Sequence, residues 1–195
     1  MSSIVPIRIE TDYAGGNIDV VACQDGRIQL KQEIRDTTEW WFYWNFRATA
    51  ESDSEQEVVF QFMDGEVVGP SGPAFSTDGI HWDWLGKASL LSRAAFRYRF
   101  AAGSERVYFA FSLPYQLLHF ERFYARIASD ARVRRLVLTE SEQLRSVPLL
   151  QIGNPAASRH IVLTCRHHAC ESTPSYLLEG LLSHYLTASD SKVLD

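Results

Sequence analysis

The chain has 195 residues, of which 46% are hydrophobic and 12% aromatic, so it has enough apolar material for one large or two small domains. Its formal net charge of −5 excludes a general electrostatic attraction to nucleic acid or to anionic lipid. No apolar run reaches the length of about 18 residues that predicts a transmembrane helix, and the N-terminus lacks the basic and then apolar pattern of a signal peptide. Three cysteines without a Cys-x-x-Cys spacing do not predict a disulfide framework, which favours a reducing compartment. We therefore expect a soluble, cytoplasmic protein that binds neither nucleic acid nor membrane.

The first part of the chain, residues 4–111, alternates short apolar segments with glycine-containing turns. The predicted strands are residues 18–21, 28–31, 40–48, 58–62, 94–100 and 107–111. Turns such as Asp25-Gly26 and Asp64-Gly65 divide them, and no helical stripe of useful length interrupts them. This spacing predicts an antiparallel β-sandwich of jelly-roll type over residues 1–111.

Aromatic side chains dominate the predicted strand over residues 40–48. Because side chains alternate along a strand, one face would carry Trp40, Phe42, Trp44 and Phe46. The opposite face would carry Trp41, Tyr43, Asn45 and Arg47. We expect the first face to be core. The second, which has a hydroxyl, an amide and a guanidinium, would either pack on the following domain or form a platform for a sugar or a peptide.

Residues 63–79 are rich in Gly and Pro, which predicts a long ordered loop that overhangs a groove. The sequence His81-Trp82-Asp83-Trp84 comes next. We expect a buried pair of tryptophans there, with His81 hydrogen-bonded to a carboxylate or a carbonyl. A second metal site at His81 is the alternative.

The second part of the chain changes pattern at Leu113-Pro114-Tyr115. A helix is predicted over residues 116–129, and strands over 132–139, 149–152 and 161–165, the last buried on both faces because it is a continuous apolar run. Thr173 and Pro174 predict a helix start, and the helix continues to about Leu186 with an apolar stripe for a sheet. These elements predict an α/β domain over residues 112–195 whose sheet is unfinished, so the expected fold class is α+β overall.

His168 and Glu171 lie in the loop between the predicted strand over 161–165 and that helix. In open α/β sheets, ligands and catalytic groups collect beyond the carboxyl ends of the strands. An imidazole and a carboxylate three residues apart on a turn can share one zinc ion, because each supplies a lone pair at about 2 Å. His168 and Glu171 are therefore candidate zinc ligands, and the alternative is that His168 only hydrogen-bonds its own loop. Cys170 between them is either a further ligand or a small buried residue.

Several segments of the chain resemble one enzyme family. Arg166-x-His168-x-x-Glu171-Ser172, followed by Ser175-Tyr176-Leu177-Leu178-Glu179-Gly180, resembles the zinc-binding segment of the zinc metallocarboxypeptidases, and among them the cytosolic carboxypeptidase branch. Three further segments also resemble that branch: Ser76-Thr77-Asp78-Gly79-Ile80-His81-Trp82, Tyr108-Phe109-Ala110-Phe111-Ser112-Leu113-Pro114-Tyr115 and Val147-Pro148-Leu149-Leu150-Gln151-Ile152-Gly153. The resemblance covers most of the chain. It implies a zinc peptidase that hydrolyses C-terminal peptide bonds of peptides or proteins, with His168 and Glu171 as its first two zinc ligands.

The chain departs from the family pattern in two places. Ala169-Cys170 stands where the branch usually has Pro-Gly. In the family, three elements come well after the first motif: the second zinc histidine, an Asn-Arg pair for the substrate carboxylate and the general-base glutamate. Too few residues follow Glu171 to include them. The resemblance therefore implies half of a zinc site, with no catalytic residue in this chain and the general base expected beyond Asp195.

These departures lead to two competing expectations. In the first, the chain is the N-terminal portion of a zinc metallocarboxypeptidase, inactive alone, and either self-associates or pairs with a C-terminal half. In the second, it is a degenerate family member or a non-catalytic β-sandwich module that recognises a peptide or a sugar.

Overall fold

A computed structural model of the chain describes residues 7–187 except 36, 38 and 40. These residues form two compact units. The first unit takes the described residues up to Pro114 together with His168–Ser172, and the second takes Tyr115–His167 and the described residues from Thr173 on. The predicted division into domains 1–111 and 112–195 stays a prediction.

The described part of the first unit contains ten strands in two sheets. The strands are β1 (Arg8–Glu10), β2 (Asp19–Gln24), β3 (Arg27–Lys31), β4 (Asn45–Ser52), β5 (Gln56–Phe62), β6 (Ala74–Ser76), β7 (Asp83–Trp84), β8 (Leu90–Ser92), β9 (Ala95–Phe100) and β10 (Gly103–Ala110). One sheet has the order β1-β4-β10-β6-β7 and the other β2-β3-β5-β9-β8. β3 and β5 pair in parallel, so the prediction of antiparallel pairing throughout is wrong there, while the other neighbours are antiparallel.

The core of the first unit lies between the two sheets and is aromatic. Alternation along β5 buries Val58, Phe60 and Phe62, and these residues belong to one cluster with side chains of β4 and β10. The rings of Phe46 and Phe60 lie 5.3 Å apart between centroids, and those of Phe60 and Phe109 also lie 5.3 Å apart. Such contacts between the inner faces of two sheets define a β-sandwich, as predicted.

The strand predicted over residues 40–48 begins further along the chain than predicted, because β4 starts at Asn45. Trp44 and Phe46 are fully buried, as expected for the core face, and Trp44 Nε1 donates to Val67 O at 2.8 Å. Phe42 is 42% exposed, so the core face does not extend to it. Trp40, which was assigned to the same face, lies outside the described residues.

The opposite face of this segment is engaged within the first unit. Arg47 donates to both carboxylate oxygens of Glu10, at 2.9 and 3.1 Å, and its guanidinium lies 5.7 Å from the ring centroids of Tyr13 and Tyr108. These groups are used by the fold itself, which weakens the hypothesis of a sugar or peptide platform there.

Two expectations for residues 63–84 are corrected. The segment 63–79 is not simply an overhanging loop, because Val67 and Val68 are fully buried and Ala74–Ser76 forms β6. Trp84 is 41% exposed, so the prediction of a buried tryptophan pair is wrong at that position. His81 hydrogen-bonds a carboxylate as predicted, with 2.7 Å between its Nδ1 and Asp78 Oδ2.

The second unit consists of α1 (Leu117–Ile127), β11 (Val133–Glu140), β12 (Ser146–Ile152) and α2 (Thr173–Thr187). β11 and β12 form an antiparallel pair with an irregularity between Val137 and Thr139. The unit's small core contains Phe123, Ile127 and Val133, and Leu182 and Leu186 pack against it. None of the helices in the described part of the chain is both long and apolar enough to cross a lipid bilayer.

Residues 161–165 do not form the strand that was predicted for them. Ile161 is 78% exposed and Val162 83% exposed, rather than buried on both faces. A strand requires a hydrogen-bonded neighbour, and in the described part of the chain β11 and β12 pair only with each other. The apolar run favours an extended backbone but does not itself supply the neighbouring strand.

Candidate metal centre

The candidate metal centre is the turn His168–Ser172, which precedes α2. Glu171 N donates to His168 O and Ser172 N donates to Cys170 O, each at 3.1 Å. Pro174 then lies in the first turn of α2, where a missing N–H costs no helical hydrogen bond. These bonds close a tight turn and bring the side chains at positions 168 and 171 to the same side.

The imidazole of His168 and the carboxylate of Glu171 are in direct contact. His168 Nδ1 lies 2.7 Å from Glu171 Oε1, and His168 N donates to Glu171 Oε2 at 3.1 Å. The side chain of His168 is 74% exposed and that of Glu171 is 38% exposed. The structure therefore brings together the two residues that the sequence singled out, with one side open to solvent.

This arrangement is compatible with a shared zinc ion after a small movement. Nitrogen and oxygen ligands on a tetrahedral zinc, each at about 2.0–2.2 Å, lie about 3.4 Å from each other. The two atoms are 2.7 Å apart, so side-chain rotation has to widen the pair by about 0.7 Å. Rotation of an exposed imidazole supplies such a movement at small cost.

A third protein ligand is not assembled in the described part of the chain. No group of three or more His, Cys, Asp and Glu side chains there has the arrangement needed to hold a metal ion. Cys170, considered above as a further ligand, is half-buried and does not complete such a group with His168 and Glu171. The described residues thus bring together two candidate zinc ligands, fewer than the three protein ligands of catalytic zinc sites.

A side-chain hydrogen bond joins the turn His168–Ser172 to the β-sandwich. Ser172 Oγ lies 2.9 Å from Ser112 Oγ, and Ser172 is only 3% exposed. Ser112 lies two residues after the end of β10, so the last strand of the sandwich positions this contact. Sequence reasoning missed it, although Ser112 belongs to one of the segments that resemble the carboxypeptidases.

Arg166, just before the turn, belongs to a polar network of the second unit that sequence reasoning also missed. Its backbone is in the left-handed region with φ of 64°, and its guanidinium donates to Tyr115 O. Tyr115 OH donates to Glu179 Oε1 at 2.7 Å, and Arg126 forms an ion pair with Glu179 at 3.3 Å. Burial, followed by the bond to Glu179, raises the pKa of the Tyr115 hydroxyl well above its usual range, so it stays a donor.

A second histidine–carboxylate pair, Asp78 and His81, has the same spacing but a different setting. Asp78 Oδ1 accepts hydrogen bonds from Ile80 N and His81 N at 2.8 Å each and from Ser76 Oγ at 3.0 Å. The bonds from His81, first its side chain and then its backbone, hold the pKa of the Asp78 carboxyl well below its usual value. This carboxylate therefore organises its own loop.

Comparison with known proteins places this geometry in context. The chain matches no protein-family model. An uncharacterised protein of Zymomonas mobilis is 26% identical over 188 residues, which are 95% of this chain, and the chain spans 49% of the length of that curated relative.

Solved structures of metallo-carboxypeptidases match the fold of the chain. The protein from Burkholderia cenocepacia superposes with a TM-score of 0.76 at 18% identity, over 96% of this chain and 50% of its own. The protein from Pseudomonas aeruginosa, in complex with (2-guanidinoethylmercapto)succinic acid, gives a TM-score of 0.74 at 21% identity, over 94% of this chain and 50% of its own. The chain has the fold of these metallo-carboxypeptidases. The metallocarboxypeptidase fold expected from the sequence motifs is thereby confirmed, and the assignment to the cytosolic branch stays a prediction.

Proposed function

We propose that the chain carries the first two zinc ligands, His168 and Glu171, of a metallocarboxypeptidase that hydrolyses C-terminal peptide bonds. One observation carries the proposal: in a chain with the metallo-carboxypeptidase fold, His168 Nδ1 and Glu171 Oε1 lie 2.7 Å apart on an exposed turn before a helix. The second pair, Asp78 and His81, is a weaker candidate, because Asp78 Oδ1 already accepts hydrogen bonds from Ile80 N, His81 N and Ser76 Oγ.

The residues of this chain have a limited part in the reaction. When bound, zinc would supply Lewis-acid chemistry at the scissile carbonyl and at a water molecule. His168 and Glu171 would only hold that ion. No residue of this chain is assigned as the proton acceptor or as the group that binds the substrate's terminal carboxylate, so we propose that the chain alone is inactive.

The substrate class follows from the same proposal. The Pseudomonas aeruginosa metallo-carboxypeptidase binds (2-guanidinoethylmercapto)succinic acid, a compound with two carboxylates. A peptide also ends in a carboxylate, which supports a peptide or protein C-terminus as the substrate.

The branch and the compartment are part of this proposal. Ser112, from the segment that resembles the cytosolic carboxypeptidases, bonds the metal-binding turn through Ser172 at 2.9 Å, which supports that branch. The three cysteines, Cys23, Cys165 and Cys170, are all free thiols, which supports a reducing cytoplasmic location.

Calorimetric titration of zinc into the 195-residue chain tests the metal site. Two protein ligands should bind zinc with a Kd weaker than about 1 µM, because complete structural zinc sites gain at least about 10 kcal/mol. His168→Ala and Glu171→Ala should each abolish the binding, and His81→Ala is the matched control that should retain it.

Two results would contradict the assignment. Zinc binding that survives His168→Ala, or that His81→Ala removes equally, would show that the ligands lie elsewhere. Tight stoichiometric binding that persists in a Cys170→Ala variant would show that the site is complete without further residues.

A further inference from the structure

A cavity of about 310 Å³ lies at one edge of the β1-β4-β10-β6-β7 sheet of the first unit. It is lined by residues of β6, of the loop that follows and of β7, namely Phe75, Ser76, Thr77, His81, Trp82 and Asp83. Its volume lies at the lower end of the range of about 300–1,000 Å³ that is typical of ligand pockets. The proposed zinc site uses none of these residues, so the cavity has no role in the function proposed above.

The carboxylate of Asp83 is held in place but has no positive partner. Asp83 Oδ1 accepts a hydrogen bond from Trp84 N at 2.7 Å, which fixes the carboxylate against its own backbone. None of the ion pairs among the described residues includes Asp83. The surrounding sequence is short of cations as well, because residues 48–86 contain eight acidic residues and no Lys or Arg. Asp83 is therefore available to a cation that the ligand supplies.

The contact between His81 and Asp78 leaves one imidazole nitrogen facing outward. His81 Nδ1 lies 2.7 Å from Asp78 Oδ2, and the side chain of His81 is 88% exposed. Because Nδ1 faces a carboxylate oxygen, it carries the proton, and Nε2 of the neutral ring is then a hydrogen-bond acceptor. The cavity thus offers acceptors to a ligand at both His81 and Asp83.

Two aromatic side chains line the same cavity. Phe75 lies directly opposite Asp83 in the β6–β7 pair, so ring and carboxylate are neighbours on one face of the sheet. Trp82 Nε1 donates to Gly79 O at 3.3 Å, and the Trp82 ring meets that of Tyr108 at a centroid distance of 6.3 Å, which positions the indole. The faces of such rings attract cations. A guanidinium suits this set better than an ammonium, because it is planar and stacks on a ring while its N–H groups reach a carboxylate.

We propose that this cavity binds a guanidinium group, with the Asp83 carboxylate as its counter-ion, His81 Nε2 as a further acceptor and the two aromatic rings as its stacking surface. The group belongs either to an arginine side chain of a polypeptide or to a free guanidinium compound. Ile80 and Trp84, next in sequence to lining residues, are 47% and 41% exposed, and this apolar surface favours a polypeptide. Since the polar groups of the cavity are exposed to solvent, the Kd should be on the order of 1 mM.

Nuclear magnetic resonance of the isotope-labelled 195-residue chain tests this proposal by titration with Nα-acetyl-arginine amide, Nα-acetyl-citrulline amide and agmatine. The arginine amide should shift the signals of the Asp83 amide and the Trp82 indole N–H. The citrulline amide, which has the same shape without the charge, should bind about 5- to 30-fold more weakly, because it makes neither the ion pair nor the cation–π contact. Tighter binding of the arginine amide than of agmatine would assign the site to polypeptides, and the reverse order would assign it to free guanidinium compounds.

Asp83→Asn keeps an acceptor for Trp84 N and removes only the charge, so it should weaken binding of the arginine amide about two- to fivefold. Asp53→Asn, at an exposed acidic residue between β4 and β5, is the matched control and should leave binding unchanged. Equal affinity for the arginine and citrulline amides, an unchanged Kd in Asp83→Asn, or shifts confined to another part of the chain would overturn the proposal. His168→Ala should bind the arginine amide normally, which separates this inference from the proposed zinc site.

Discussion

Replacing Ser112 by alanine should loosen the turn His168–Ser172 without changing either proposed ligand. The Ser112–Ser172 hydrogen bond is 2.9 Å long, and a neutral hydrogen bond contributes about 0.5–1.5 kcal/mol. Ser172 is 3% exposed, so Ser112→Ala leaves a buried hydroxyl without its partner, which costs about 1–3 kcal/mol. Ser172→Ala should cost less, about 0.5–1.5 kcal/mol, because the half-buried Ser112 hydroxyl can turn to water.

Amide hydrogen exchange at Glu171, whose N–H donates to His168 O, measures this loosening. A loss of about 1–3 kcal/mol in the free energy of local opening should speed its exchange about 5- to 150-fold in Ser112→Ala. The double variant with alanine at both positions should exchange more slowly than Ser112→Ala alone, because no unsatisfied hydroxyl remains buried. Equal exchange in Ser112→Ala and wild type, or a larger effect of Ser172→Ala, would refute the reasoning.

Two further predictions concern stability. Phe109→Ala should lower the free energy of unfolding by about 3–5 kcal/mol, because the ring is fully buried among four aromatic neighbours. Phe42→Ala, at a position 42% exposed, should lower it by at most about 1 kcal/mol. Urea denaturation measures both losses, and losses of similar size would place the core elsewhere. Hydrogen bonds from the side chain and backbone of Arg132 lower the pKa of Asp130 from 3.8 to about 2, so its stabilisation is present above pH 4 or so and is lost as the pH falls towards about 2. Asp130→Asn should reduce the acid dependence of thermal stability in that range, and an unchanged profile between the two proteins would contradict the ion pair.

Features encoded within a few residues could be predicted from the sequence. Asp25-Gly26 marks a tight hairpin turn, and both residues have positive φ, 49° and 72°, between β2 and β3. Residues 58–62 were predicted as a strand, and they lie in β5, where Val58, Phe60 and Phe62 are buried. The pair His168 and Glu171 was likewise predictable, because a turn of four residues determines its geometry.

Features that depend on distant neighbours could not be predicted in this way. Residues 161–165 have the composition of a buried strand, but strand formation depends on a partner that a local pattern does not specify. The parallel pairing of β3 with β5 and the contact between Ser112 and Ser172 join residues far apart in sequence, and neither leaves a periodic signal. The buried Val67 and Val68 were missed because neighbouring Gly and Pro residues dominate the local composition.

The turn His168–Ser172 belongs to the same compact unit as the β-sandwich, although it follows the helix and strands of the second unit in sequence. If that turn holds zinc, metal occupancy and unfolding of the sandwich become linked equilibria, since a ligand that binds only the folded state stabilises it according to its concentration and affinity. Zinc should then raise the melting temperature of the first unit, although the proposed ligands His168 and Glu171 lie in the turn and not in the sandwich strands. Conversely, a substitution deep in the aromatic core could reduce metal occupancy without altering His168 or Glu171, so a metal-deficient variant need not have a damaged metal site.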